Sequence, residues 1–221
     1  RSIIINPEDM RYRIFMCHKD KTELKGTRAL KYIEWGEEQE YHLRPTLLNR
    51  NRWWDLGERD LSGLHFNYLI HDVGRTFVGH LYFSDNFHDV YLGKDYAVSL
   101  NSTVFFLFQN VIGRTNFGGG LMKIQTYELE RMKLINIRTN ESKEILNNKH
   151  LTIFQECGIN PESGIPIADQ EPNPVTYRKA LDDIVFNALG LTEGERKEVY
   201  RAVCQLVWER ISKARSVGRN G

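Results

Sequence analysis

The stretch TVFFLFQNVIGRTNFGGGLMK, Thr103 to Lys123, decides how the chain is read. Its first half is apolar enough for a core strand or a buried helix. Ala97, Leu100, Val104, Phe108 and Val111 recur at helical spacing, which predicts a buried helix between Tyr96 and Ile112, although Thr103 to Phe106 alone would suit a strand. The second half changes character. Four glycines and Arg114 follow the apolar run at once, and glycine loses more backbone freedom on folding than any other residue. Such a cluster marks either a tight corner between packed elements or a place where a phosphate backbone comes close to main-chain N–H groups.

Upstream, SIIIN and YRIFMC suggest strands, and Thr22 to Glu38 reads as an amphipathic helix. From Arg52 to Leu92, runs such as GLHFNYLI, TFVGHLYF and HDVYL predict several twisted strands. Lys123 to Ile137 reads as a strand, a helical turn and another strand. The polar, proline-containing stretch from Arg138 to Pro174, with Asn147 and Asn148 in it, reads as a connector holding at most one short helix. Asn173 and Pro174 open a helix with Tyr177, Leu181, Ile184, Val185 and Ala188 on one face, closed by Gly190. Thr192 and Glu195 make a capping-box pair for a last helix with a stripe of Val199, Val203, Leu206, Val207 and Ile211. The expected fold is α+β: a mixed, twisted, sheet-rich domain over 1–137 with packed helices, a connector over 138–172, and an antiparallel helix pair over 173–221.

The 221 residues, 41% of them hydrophobic, suffice for a core of one large domain or two small ones. The longest apolar run, Val104 to Phe108, is too short to cross a bilayer, and no export signal opens the chain. These features predict a cytoplasmic protein with no membrane partner. Cys17, Cys157 and Cys204 lack zinc-ligand spacing and read as thiols of a reducing compartment. The chain opens on Arg1 rather than methionine, which reads as a piece of something longer.

Motifs for nucleophilic, metalloprotease, nucleotide-phosphate and dinucleotide chemistry are absent. The acids of DLGERDL, Asp55 to Leu61, read as a solvated turn rather than a nuclease site. His65 and His71, and His80 and His88, flank apolar strands and read as hydrogen-bonded strand histidines before they read as metal ligands. No catalytic residue and no metal site is assigned. Two acid-free stretches stand out instead. Tyr41 to Trp54 carries Arg44, Arg50, Asn51 and Arg52 beside Trp53 and Trp54. Tyr96 to Tyr127 carries only Arg114 and Lys123 as charges, with Thr115 and Asn116 between them. Arginine offers forked donors that match phosphate oxygens or the guanine edge, asparagine matches the adenine edge, and threonine adds a neutral donor. A solvated surface beside core tryptophans is the plainer reading of the first stretch. Net charge of +1 gives no overall pull toward nucleic acid, so any such role rests on local clustering.

The order of these segments resembles the C-terminal part of large N6-adenine DNA methyltransferases, above all the fused restriction and modification type. The resemblance lies in RNRWWDL (50–56), in SLNSTVFFLFQNVIGRTNFGGGLMKIQTYELERMKL (99–134) with its Asn101–Ser102 helix start and Gly113–Arg114–Thr115 turn, and in the closing helices over 178–216. It implies a target recognition domain that reads double-stranded DNA through Arg44, Arg50, Asn51, Arg52, Arg114, Thr115, Asn116 and Lys123. An upstream domain of the same chain would then bind S-adenosylmethionine and methylate adenine. The piece itself has neither a cofactor loop nor an Asn-Pro-Pro-aromatic motif, since Asn6–Pro7 is followed by Glu8. It would therefore bind without catalysing and hold no cofactor of its own. The competing reading is a protein-interaction or scaffold domain that docks a partner through its helix pair.

Overall fold

The computed structural model describes residues 2–139, 146 and 151–218, with backbone alone at 116–118, 217 and 218. Its contacts divide the chain into two compact units, Glu8–Leu61 and a larger one made of Arg1–Pro7 with Ser62–Gly221.

In the smaller unit, helix α1 spans Arg28–Glu38. It begins six residues later than the amphipathic pattern suggests, because Gly26 turns the chain at φ 78° and Thr27 caps the helix by accepting from Leu30 N at 3.2 Å. Ile33 and Leu24 form its buried anchor. The expected strand at Tyr12–Cys17 is irregular backbone, and Trp53 and Trp54 lie in a turn rather than a strand. Trp53 is fixed by α1: its ring fills the space beside Gly36, and its Nε1 donates to Glu37 Oε1 at 3.1 Å. Glu37 also pairs with Lys21. Burial alone would raise the Glu37 carboxyl, but those hydrogen bonds hold it below its ordinary value.

The larger unit confirms the α+β class. One antiparallel sheet has β1 (Leu64–Asn67) in the centre, flanked by β3 (Thr76–Val78) and β4 (Phe87–Val90). The second places β6 (Leu121–Lys123) between β2 (Leu69–Ile70) and β5 (Arg114–Phe117). In register, Leu64 faces both Val78 and Val90, and Phe66 faces Thr76 and His88. Of SIIIN, only Ile4 joins the sheet, as an isolated parallel bridge to Val78. Every strand is short, two to four residues, so helix outweighs strand among the described residues. His65 sits between the Asp89 carboxylate at 2.8 Å and the Gly79 carbonyl at 2.9 Å.

The apolar run between β4 and β5 is helical, as expected, but broken in two, α2 (Ala97–Leu100) and α3 (Thr103–Ile112), and α3 buries Val104, Phe105, Phe106 and Gln109 while Phe108 and Val111 of the expected stripe are exposed. Asn101 and Ser102 make the break useful. Ser102 caps α3 by accepting from Phe105 N at 3.2 Å. Asn101 grips β3, accepting from Thr76 N at 3.0 Å and donating to Thr76 O at 2.9 Å. A short helix α4 (Thr126–Glu130) follows β6, and the strand expected after it is irregular backbone.

The stretch expected as a polar connector carries helix α5 (Ile153–Cys157), whose Glu156 has no exposed surface; Asn147 and Asn148 lie outside the described residues. Glu156 pairs with Arg75 and with Arg178, and accepts from Tyr177 Oη at 2.8 Å. Arg178 opens α6 (Thr176–Leu189), which starts at Val175 as cap rather than at Asn173. Its buried face holds Arg178, Leu181, Asp182, Val185 and Phe186, while Ala188 is exposed. Gly190 closes α6 at φ 68°, and Thr192 and Glu195 bond reciprocally to start α7 (Glu193–Gly218). Most of the apolar stripes of both helices is spent inside this unit, with Leu181, Val185, Val203, Val207 and Ile211 joining one core with Phe66, Phe105 and Met122, while Leu206 of the expected stripe is only half-buried. Cys157 and Cys204 are buried free thiols of that core, and Cys17 is half-buried. Among the described residues no helix is long and apolar enough to cross a membrane.

Replacing Glu156 with alanine leaves buried Arg75 without a carboxylate and Arg178 with only the more distant Asp182, at 3.8 Å, and is expected to cost about 3–5 kcal/mol, read as a lower urea midpoint at neutral pH. Burial pushes the Glu156 carboxyl up, but Arg178 and Arg75 outweigh it and hold it below the ordinary 4.5. Its stabilisation is therefore present above about 4.5 and lost as pH falls through the lower folded value. Asp182, which burial raises despite Arg178, contributes with the opposite sign. Glu156→Gln measured beside the wild type isolates the first effect: its stability should fall less steeply in acid.

Candidate nucleic-acid interface

The eight residues that sequence reasoning singles out fall four in each unit. In the smaller one, Arg44, Arg50, Asn51 and Arg52 lie in the turns and bends over 44–54, after α1. Arg44 and Asn51 are exposed, and the Arg44 guanidinium lies over the Tyr41 ring, 4.4 Å from its centroid, with no ion pair among the described residues. Arg50 is exposed and reaches only the Asp55 carbonyl, at 3.3 Å. Arg52 differs. It is half-buried and braced between Asp20 at 3.3 Å and Asp55 at 2.8 Å, so it shapes the turn that carries the others. The Asp55 carboxyl is held below its ordinary value by the Gly57 N–H and by His18.

In the larger unit, Arg114 and Lys123 are partners across β5 and β6, and an irregularity between Arg114 and Phe117 distorts that ribbon. Thr115 is exposed beside Arg114, and the Asn116 side chain lies outside the described residues. Arg114 is not free: its Nε donates to Glu128 Oε1 at 2.6 Å, and its guanidinium lies 5.4 Å from the Tyr127 centroid. Burial works against Glu128, yet the Gln125 N–H and Arg114 hold its carboxyl below the ordinary value. Lys123 lies 4.5 Å from the Tyr68 centroid. The acid-free stretch thus ends one residue short of the carboxylate that answers its arginine.

The glycine cluster is first of all a corner. Gly113 packs on Met122 and on the Gln109 carbonyl, where a side chain has no room. Gly118–Gly120 make one tight turn, with Gly119 and Gly120 both at φ 72°. A Cβ on Gly120 would stand 3.1 Å from Ile211 Cα of α7, so the element that approaches there is the closing helix. Arg210 locks this contact. It is buried, donates to the Gly120 carbonyl, and reaches Ile70 O at 3.5 Å and Asn110 Oδ1 at 3.4 Å. Burial without a close carboxylate lowers its pKa to about 10. Gly119 is the exception. Nothing lies near its Cα on the side a Cβ would take, and it is exposed, so the tip of the turn and its backbone face outward. Sequence reasoning misses Arg210, whose place in a helical stripe of apolar residues is the one signal that it points inward.

No group of histidine, cysteine and acidic side chains suited to a metal ion occurs among the described residues.

A family model of the C-terminal domain of the type II methyltransferase M.Eco57I matches residues 5–158, well over half of the chain, and the chain belongs to that family. The matched span contains all eight candidate residues, the Asn101–Ser102 break and Glu156; α6 and α7 lie beyond it. No curated protein and no solved structure matches the chain.

The corner and its tip separate by substitution. Both Gly119→Ala and Gly120→Ala force a side chain into the left-handed region, costing about 1 kcal/mol. Gly120→Ala must also push α7 aside, so its thermal midpoint should fall clearly further than that of Gly119→Ala. Equal losses would place both glycines at an open tip.

Proposed function

We propose, on the premise of that family membership, that the chain is the sequence-specific DNA-recognition module of an adenine-specific, S-adenosylmethionine-dependent DNA methyltransferase of a restriction-modification system. The match over residues 5–158 carries the reading, and all eight candidate contact residues lie inside it. The module holds the duplex and reads base edges, while an upstream domain of the same chain binds the cofactor, receives the flipped adenine and methylates it. The module itself supplies neither cofactor nor catalysis, and its working compartment is the cytoplasm.

The side chains divide by how they are held. Arg44, Arg50 and Asn51 are exposed and lightly committed, which suits groups that meet DNA through forked or paired hydrogen bonds. Arg114 and Thr115 sit on the distorted β5–β6 ribbon, with Arg114 opposite Lys123 and the open glycine tip at the ribbon's other end. Lys123 completes that patch as a point charge. Arg52 positions the turn of the smaller unit. The scaffold reading needs an uncovered face on the helix pair, and the core of the larger unit already occupies those stripes.

Duplex binding should weaken steeply with salt, because phosphate contacts release counterions. Arg44→Ala and Arg114→Ala should each weaken binding about five- to tenfold and flatten the logarithmic salt slope by roughly one. Fluorescence anisotropy with a labelled duplex library at two salt concentrations, with circular dichroism to confirm folding, checks both numbers. Affinity unchanged in both variants would sink the reading.

A further inference from the structure

The smaller unit holds a cleft that the reading above does not use. Its lining includes Phe15, Tyr32, Trp35, Tyr41, Trp54 and Leu47. Tyr32 and Trp35, on one face of α1, stack at 5.5 Å with 27° between their planes, and Trp35 meets Tyr41 edge-on at 5.6 Å. Large aromatic rings ordinarily bury, yet Tyr32 is 50% exposed and Trp35 43%. The volume is about 260 Å³, small for a drug-sized ligand and suited to a single planar ring.

Charge indicates what accompanies the ring. Arg44, which has no ion pair among the described residues, lies over Tyr41 in the cleft wall and carries a positive charge to its rim. The acid-free segment from Tyr41 to Trp54 supplies that side of the cleft. A nucleotide offers both the planar ring and the phosphate that such a pairing suits, whereas an apolar peptide would use the rings and leave the arginine unmet.

We infer that this aromatic cleft receives one unstacked nucleobase, stacked on its exposed rings, with the adjoining phosphate on Arg44. The inference rests on the DNA-recognition reading and extends it: besides duplex contacts, the module has a stacking site for a base displaced from the helix. Base–aromatic stacking tolerates any base, so the cleft marks an opened duplex rather than a sequence.

The test uses the whole chain and two fluorescently labelled DNAs of the same sequence, one fully paired and one with a single central unpaired nucleotide. The unpaired nucleotide should raise affinity roughly tenfold, within what one stacked base contributes, and quench tryptophan fluorescence more than the paired duplex does. Trp35→Ala should abolish that preference while leaving paired-duplex affinity unchanged, and Trp35→Phe should restore most of it. Tyr32→Ala, a second exposed wall, guards against one variant that fails to fold. Arg114→Ala should weaken both DNAs equally and keep their ratio. Equal affinity of the wild type for both DNAs overturns the cleft assignment alone, as does a preference that survives both Trp35→Ala and Tyr32→Ala. A proline-rich peptide that quenches the tryptophans where the unpaired nucleotide does not reassigns the cleft to a protein partner. Binding of neither DNA overturns this inference together with the reading beneath it.

Discussion

A single carboxylate with no exposed surface organises the larger unit. Glu156 lies between Arg75, just before β3, and Arg178, on the first turn of α6. Taking three charges out of water is costly unless partners replace it: Arg178 also donates to the Asn101 carbonyl at 2.8 Å, Tyr177 supplies Glu156 with a further donor, and Arg75 Nη2 reaches the Leu151 carbonyl at 3.3 Å, leaving its buried Nε without a partner among the described residues. Each of these bonds fixes a different element. The first sheet, the break between α2 and α3, the short helix α5 and the helix pair have only one arrangement in which all of the charges are met. Asp182 extends the constraint, accepting from Thr103 N at 2.7 Å and Thr103 Oγ1 at 2.6 Å, so α6 helps to cap α3.

The same logic reaches the glycine corner by a different route. With α3 fixed at its start by Ser102 and Asp182, its far end presents Gln109 and Asn110 to the second sheet. Arg210 from α7 then binds Asn110, β2 and the glycine turn together. It has no close carboxylate, so it contributes direction more than Coulomb energy, donating to carbonyls that would otherwise be buried without a partner. The distorted β5–β6 ribbon is held from behind, and only its tip and its Arg114–Thr115 edge remain outward.

What could be read from the sequence follows the range of the interactions. Local signals survive: the Thr192–Glu195 capping pair, Gly190 as a helix stop and the helical state of the run around Val104 all recur in the structure, because each needs only neighbours within a few residues; which face of that helix is buried does not, since Phe108 and Val111 are exposed. Signals that depend on distant partners are lost. Glu156 looks like any acid in a polar connector, and the residue that makes it a keystone, Arg75, lies 81 positions away. Tyr12–Cys17 has strand composition, but composition supplies no second strand to bond with. Trp53 and Trp54 read as strand neighbours until Gly36 opens a space that one indole fills. At the candidate interface, an acid-free count from Tyr96 to Tyr127 promotes Arg114 as an unanswered charge. Glu128, the next residue, is the answer, because a ribbon and a capped helix fold it back.

That pairing bears on how a near-neutral chain could be selective for DNA. An exposed ion pair such as Arg114–Glu128 contributes only about 0–1 kcal/mol, so a phosphate can take the arginine without a large penalty, and the carboxylate keeps it oriented until then. Arg52, braced by two aspartates, is more strongly committed and cannot be reassigned as easily. Arg52 and Arg114 are answered by acids, while Arg44 and Lys123 lie over rings and Arg50 reaches a carbonyl. Under the proposed function such groups would give weak, salt-sensitive attraction to any duplex, with gains where a group can exchange its partner, Arg44 its ring and Arg114 its carboxylate. Under the proposed function, the net charge of +1 is therefore a means of discrimination, since it keeps the module from being held by every phosphate chain it meets.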